Sequence, residues 1–223
     1  MPATAPRSDD TRERLLAAGL ELFGHYGYEG VTTRMLAAAA KVNQHAIPYH
    51  FGGKEGVYLA VTERLCSTVR ARLAPVLARI RETLAAQEEG EGAAAVPALL
   101  LELTLALGRI VFDPEHRSAW FTFLTREQFH PTAAFDLLYR DFTAPAHALV
   151  GELVGRLTGQ APEAPETILL THAYLGQIVA FAAARATLNR RLGGEGDYTP
   201  EQVAAILQAL ERFSRAAIAG LAG

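Results

Sequence analysis

Asn43, Gln44, His45 and Ala46 follow directly on Lys41-Val42, and Tyr49, His50 and Lys54 come shortly after them. This set suits nucleic acid better than bond breaking. Asn and Gln can each bond N6 and N7 of adenine in the major groove, and an alanine methyl can touch a thymine methyl. Tyr49, His50 and Lys54 would then run toward the backbone, where Lys54 at a helix start adds free N–H donors to its charge. Catalytic patterns are missing. Gly52-Gly53-Lys54-Glu55 fails as a phosphate loop, because Pro48 stands at its first glycine and Glu55 replaces Ser or Thr. There is no GxSxG or HExxH, and Cys66 has no base near it in sequence. Seven histidines (25, 45, 50, 116, 130, 147 and 172) are scattered, so a metal site would need the fold to bring distant ones together. The expectation is no catalytic residue, no metal and no cofactor.

Charge supports a nucleic-acid face in one region only. The chain of 223 residues has net charge −3, but residues 1–54 hold six Lys/Arg against five Asp/Glu. Between 30 and 54 there are three cations (Arg34, Lys41, Lys54), two histidines and one acid-free run, and both lysines of the protein lie there. Such a patch can meet phosphates while the remaining surface stays acidic.

The elements that must position these residues read as helices throughout. Periodicity predicts a helix from Asp10, where Asp10 and Glu13 have capping-box spacing, with Leu15, Gly19, Leu22, Phe23 and Tyr26 on one face. Gly27 to Gly30 stops it. A short helix over 33–40 has Thr32 as N-cap and Leu36, Ala37 and Ala40 inward; a shorter one follows with Asn43 as N-cap. A long helix runs from 54 to about 86, and 87–95 reads as a flexible connection. Further helices are expected at 96–112, 115–129, 132–158, 166–190 and 200–221, the last with Thr199 as N-cap, Pro200 at N1 and Gln202 at N3. The fold class is all-α: an N-terminal three-helix helix-turn-helix domain (8–68), joined by a long helix to a C-terminal helical domain (69–223), about nine helices in all. Two short helices before a long one make the helix-turn-helix pattern, although a plain packing hairpin has the same spacing.

The stretches 11–28 (TRERLLAAGLELFGHYGY), 32–37 (TTRMLA) and 47–58 (IPYHFGGKEGVY) resemble the DNA-binding domain of TetR-family transcriptional regulators. The remainder resembles the CecR-like subgroup of that family through Arg126-Glu127-Gln128, Pro131, Ala134-Phe135, Tyr139, Pro145, Leu175-Gly176-Gln177, Phe181 and Ala184-Arg185. The resemblance implies that Thr33 and Arg34 approach DNA, that Asn43, Gln44 and His45 open the recognition helix, and that Tyr49, His50 and Lys54 touch the backbone. It also implies a homodimer, usually a repressor, with a small-molecule effector bound in the C-terminal domain. Two positions depart from the pattern. Lys41 replaces the usual glycine of the turn and is expected in a left-handed conformation with its side chain exposed. Pro48 would fall inside the recognition helix and cannot donate to the Gln44 carbonyl, so that helix is expected to be short or kinked at 47–48.

In the C-terminal half Trp120, Phe123, Phe129 and Tyr139 are each read first as core packing, and together as walls of an apolar pocket. Arg126 and Glu127 line that pocket or form a structural ion pair or cap. His172 and Gln177 contact ligand or are buried polar groups with partners. Leu169, His172/Ala173, Gly176, Val179/Ala180 and Ala183 form a stripe on 166–190, and Val203, Ile206/Leu207, Leu210, Phe213 and Ala217 another on 200–221. Two such stripes suggest a four-helix interface between protomers. The reading is a dimeric regulator whose recognition helices, about 34 Å apart, meet a palindromic double-stranded operator and are released by an effector. The rival is a small-molecule-binding or catalytic helical protein without DNA binding. With no secretory signal and no uninterrupted apolar run of about 20 residues, no membrane is expected. The expected location is the cytoplasm, on the nucleoid when bound to DNA.

Overall fold

The computed structural model describes residues 7–88, 95–113 and 117–222, and all regular structure among them is helical. The connection expected over 87–95 lies mostly outside the described residues. Among the described residues there are eleven α-helices: α1 (Arg7–Gly30), α2 (Thr33–Ala40), α3 (Ala46–Phe51), α4 (Lys54–Glu88), α5 (Val96–Val111), α6 (Arg117–Phe129), α7 (Ala133–Leu138), α8 (Ala144–Thr158), α9 (Pro165–Ala183), α10 (Arg185–Arg191) and α11 (Pro200–Leu221).

Several elements differ from expectation for identifiable reasons. α1 starts at Arg7, so Asp10 is already inside the helix and pairs with Arg14 instead of forming a capping box. The single helix expected over 132–158 is two, separated by a π turn over Tyr139–Thr143. Pro145 has no N–H for the Asp141 carbonyl and its ring crowds that group, which widens the turn before α8. The helix expected over 166–190 bends by 66° after Ala183. The Tyr198 hydroxyl donates to the Phe181 carbonyl at 2.6 Å, drawing an acceptor away from the helical ladder at the bend. α11 matches its prediction: Thr199 accepts from the Gln202 N–H at 3.2 Å, and the Gln202 side chain accepts from the Thr199 N–H at 2.8 Å.

The chain forms two compact units, with α4 running through both. One contains residues up to Thr68 together with 117–141; the other contains 69–113 and the residues from Phe142 onward. Chain order alone, which suggested a division at 68/69, could not show that α6 leaves the C-terminal part to lie along α1. In the first unit Leu15, Phe23, Leu36, Ile47, Val57 and Phe123 have no exposure or almost none. Gly56 is required there, because a Cβ on it would fall 1.7 Å from the Phe51 carbonyl oxygen. In the second unit α5, α8, α9 and α11 bury Leu100, Leu153, Ile178 and Leu210. Arg72 with Asp113 and Arg79 with Glu102 join the later half of α4 to α5 and its end. No single helix among the described residues is long and apolar enough to cross a membrane.

Candidate nucleic-acid interface

α2 begins where expected: Thr32 accepts from the Met35 N–H at 3.2 Å. It ends at Lys41, which is left-handed (φ 54, ψ 47), exposed, and the one non-glycine with positive φ among the described residues. The Lys41 N–H turns back to the end of α2, and the Val42 N–H reaches the Ala37 carbonyl at 3.0 Å. Arg14 of α1 donates to the Lys41 carbonyl at 2.6 Å, so the turn is tied to the first helix.

The recognition helix is short, but it shortens at its start. Asn43 does not cap α3; its Oδ1 accepts from the His45 N–H at 2.9 Å, closing a turn, and the helix begins at Ala46. Pro48 therefore occupies the first turn, where an N–H has no helical partner in any case. The Gln44 carbonyl that Pro48 cannot serve accepts from Ile47 at 3.2 Å instead. α3 ends at Gly52 (φ 74), and Gly53 (φ 147) turns the chain into α4.

Around this turn Arg34, Asn43, Gln44, His45 and Tyr49 are exposed, and Tyr49 keeps 83% of its surface. Thr33, Ala46, His50 and Lys54 are half-buried. The Gln44 Nε2 donates to Thr33 Oγ1 at 2.9 Å, joining two residues that the sequence singled out separately. Gln44 keeps its Oε1 and a second N–H, the pair that adenine requires, whereas one lone pair of Asn43 Oδ1 is already engaged by the His45 N–H and its amide donors are uncommitted. Tyr49 and His50 stand edge to face, 4.8 Å between centroids. Lys54 Nζ lies over the Tyr28 ring at 4.1 Å and donates to the Tyr28 carbonyl at 3.0 Å. Its charge is thus held back against Tyr28.

Behind this face lies a buried support whose partners sequence reasoning did not bring together. Phe23, Tyr58 and Phe123 pack in sequence, with centroids 4.7 and 4.8 Å apart. The Tyr58 hydroxyl donates to Glu127 Oε1 at 2.5 Å, and Glu127, only 1% exposed, also accepts from the Thr132 N–H at 3.0 Å. Burial and the neighbouring carboxylate push the Tyr58 hydroxyl far above the usual phenol range. Arg126 donates to the carbonyls of Gly24 (3.3 Å) and His25 (2.8 Å), capping the part of α1 that precedes its break at Gly27 (φ 74, ψ 173). The cap is the role the sequence offered Arg126 beside pocket lining. The Glu127–Tyr58 bond had no signal, since 69 residues separate the partners.

The expected ligand set is not gathered in one unit. Trp120, Phe123, Arg126, Phe129 and Tyr139 belong to the first and His172 and Gln177 to the second. Trp120 and Phe123 are core, while Phe129 and Tyr139 are exposed. Gln177 accepts from Ser214 at 3.0 Å and donates to the Tyr174 carbonyl at 2.9 Å. The Tyr174 hydroxyl is 2.9 Å from Thr104 Oγ1, and burial raises its pKa.

Of the two stripes, that on α9 faces outward: Leu169 is 69% exposed, Ala173 and Ala180 are exposed, and a Cβ on Gly176 would meet open space. The α11 stripe needs correcting. Leu210 is fully buried, and both it and Leu207 lie against Gly108 of α5, at 3.4 and 3.0 Å from where its Cβ would be. Val203 is half-buried, and the outward face of α11 is Ala205, Ala209, Phe213 and Ala216. In an alanine-rich helix two stripes compete, and burial of the larger leucines decides which one turns inward.

Residues 15–61 match the family model for bacterial regulatory proteins of the tetR family. Residues 98–221 match the C-terminal domain of the HTH-type transcriptional dual regulator CecR. CecR of Shigella flexneri is 33% identical over 192 residues, covering 86% of this chain and 84% of its own. The crystal structure of a TetR-like transcriptional regulator from Rhodococcus superposes with a TM-score of 0.65 at 19% identity, covering 96% of this chain and 98% of that one. AibR, in complex with isovaleryl coenzyme A and operator DNA, gives 0.65 at 13% identity over 91% of this chain and 97% of that one. At those identities the two structures establish the shared fold.

Proposed function

Because the chain belongs to the TetR family of bacterial regulatory proteins, we propose a division of labour among its residues. It is a DNA-binding transcriptional regulator. Gln44, oriented by Thr33, reads a base; His45 and the Ala46 methyl lie beside it; Asn43 donates to an acceptor in the groove or on the backbone. Arg34, Tyr49, His50 and the start of α4 at Lys54 meet phosphates. The single observation that carries this reading is the exposed Thr33–Gln44 pair at the head of α3. Two copies, joined through the outward faces of α9 and α11, present two such heads to a palindromic operator.

Ligand release follows from the seating of α6. An effector held by the C-terminal helices acts on DNA affinity only if it binds two conformations differently. The Arg126 cap and the Glu127–Tyr58 bond join α6 to α1 and α4, and so make displacement of 117–141 a displacement of the reading head. The functional DNA-binding domain is then 8–68 with α6 seated on it, and 69–223 without that segment carries effector and partner contacts. The protein works in the cytoplasm, on the nucleoid when bound. The test is binding to DNA flanking its own gene at several salt concentrations. Affinity falls steeply with salt if phosphates are met, and Arg34→Ala weakens all sequences alike. Salt-insensitive binding, or no footprint near the gene, defeats the reading.

A further inference from the structure

Arg12 of α1 is exposed, and its guanidinium carbon lies over the half-buried Phe51 ring at the end of α3, 5.2 Å from the centroid. The row continues along α3: the Phe51 and His50 rings are 6.3 Å apart, and the His50 and Tyr49 rings 4.8 Å. We infer that Arg12 is a further phosphate-binding residue of the DNA interface, held in place by Phe51 and lengthening the line of Tyr49 and His50 by one contact. The inference rests on the assignment of Tyr49 and His50 to phosphates made above.

The acids beside Arg12 are engaged with other arginines: Asp10 pairs with Arg14, and Glu13 with Arg64. Among the described residues Arg12 itself forms no ion pair or hydrogen bond. An aromatic ring attracts a guanidinium by its face and leaves the N–H groups uncommitted, and two of these can take two oxygens of one phosphate. Lys54, the cation just beyond α3, is placed differently, because its ammonium already lies on the Tyr28 ring and donates to the Tyr28 carbonyl. At this end of α3 the uncommitted donors therefore belong to Arg12. Anchoring on Phe51 before DNA arrives also lowers the entropy lost when the side chain is fixed on binding.

The experiment measures affinity of the full-length protein for DNA flanking its own gene, and for an unrelated duplex, across a salt series. R12Q, R12K, Arg34→Ala and the control R156A, an exchange in the other unit, are compared with the unaltered protein. R12Q weakens both duplexes by the same factor and makes the slope of log K against log salt shallower by about 0.9 per protomer, hence roughly 2 for a dimer. R12K keeps the slope, and R156A changes nothing. Circular dichroism shows R12Q folded, since the side chain is exposed. Ethylation interference gives a second reading: one phosphate per half-site blocks the unaltered protein when ethylated and ceases to matter for R12Q. A slope in R12Q equal to that of the unaltered protein overturns the inference, as does an equal change in R156A, which would mark an effect of net charge alone. If Arg34→Ala still lowers the slope, only Arg12 is refuted; if neither variant does, the phosphate assignments above fail with it.

Discussion

Gln44 and Thr33 behave as one reading unit, since the amide is already anchored 2.9 Å from the threonine hydroxyl before any base arrives. Gln44→Ala is expected to lose about 1–3 kcal/mol of discrimination at one base pair. Thr33→Val should blur the same base pair by less, and the double variant should add little to Gln44→Ala. Selection of binding sites from random DNA measures all three; a Thr33→Val effect at a different base pair would break the link. Lys41 offers a stability test. Its φ of 54 is easy for glycine, and its exposed side chain leaves no packing behind. Lys41→Gly should stabilise the protein by up to about 1 kcal/mol in urea unfolding. The gain disappears if Lys41 is not left-handed in solution. Both positions stood out by residue type, but their contacts depended on a turn no pattern specifies.

At the scale of elements, capping signals held at Thr32, Thr199 and Gln202 and failed at Asp10 and Asn43. Thr32, Thr199 and Gln202 make the bonds their spacing predicts, because a cap is decided within a few residues. Interruptions were harder to see. The bend after α9 depends on Tyr198, which lies beyond the helix it opens, and the π turn on Pro145, hidden in an apolar run. α9 also buries two hydroxyls, Thr167 and Thr171, without hydrogen-bond partners. A Cβ on Gly151 of α8 would lie 3.6 Å from Thr171 Oγ1, so the hydroxyl faces a close helix–helix contact. Thr171→Val should therefore raise stability by about 1 kcal/mol, because it removes an unsatisfied polar group with almost no change of shape. A lowered unfolding midpoint would mean that the hydroxyl has a partner in solution, such as water.

For the whole molecule, the consequential feature is the allocation of α6 to the DNA-binding unit through Arg126 and Glu127. It explains why Trp120 and Phe123, plausible as pocket walls, are core there. The outward α9 face makes a prediction about assembly. Leu169→Asp should yield a folded monomer with weakened operator binding, as sedimentation and circular dichroism would show. Leu210→Ala should instead destabilise each protomer by about 2–5 kcal/mol, since Leu210 is buried within one chain. If both variants merely dissociated the dimer, the assignment of inward and outward faces on α11 would be wrong.

Helical class, the two short helices before a long one, and the residues at the head of α3 were all determined by the sequence alone. They follow from local rules of periodicity, caps and breakers that act over a few residues. Only tertiary structure decided which leucines of α11 face inward, where α6 lies, and that Glu127 meets Tyr58 or His147 meets His172. Those outcomes depend on competition among several apolar faces for the same interior, and that competition is settled by burial across distant segments.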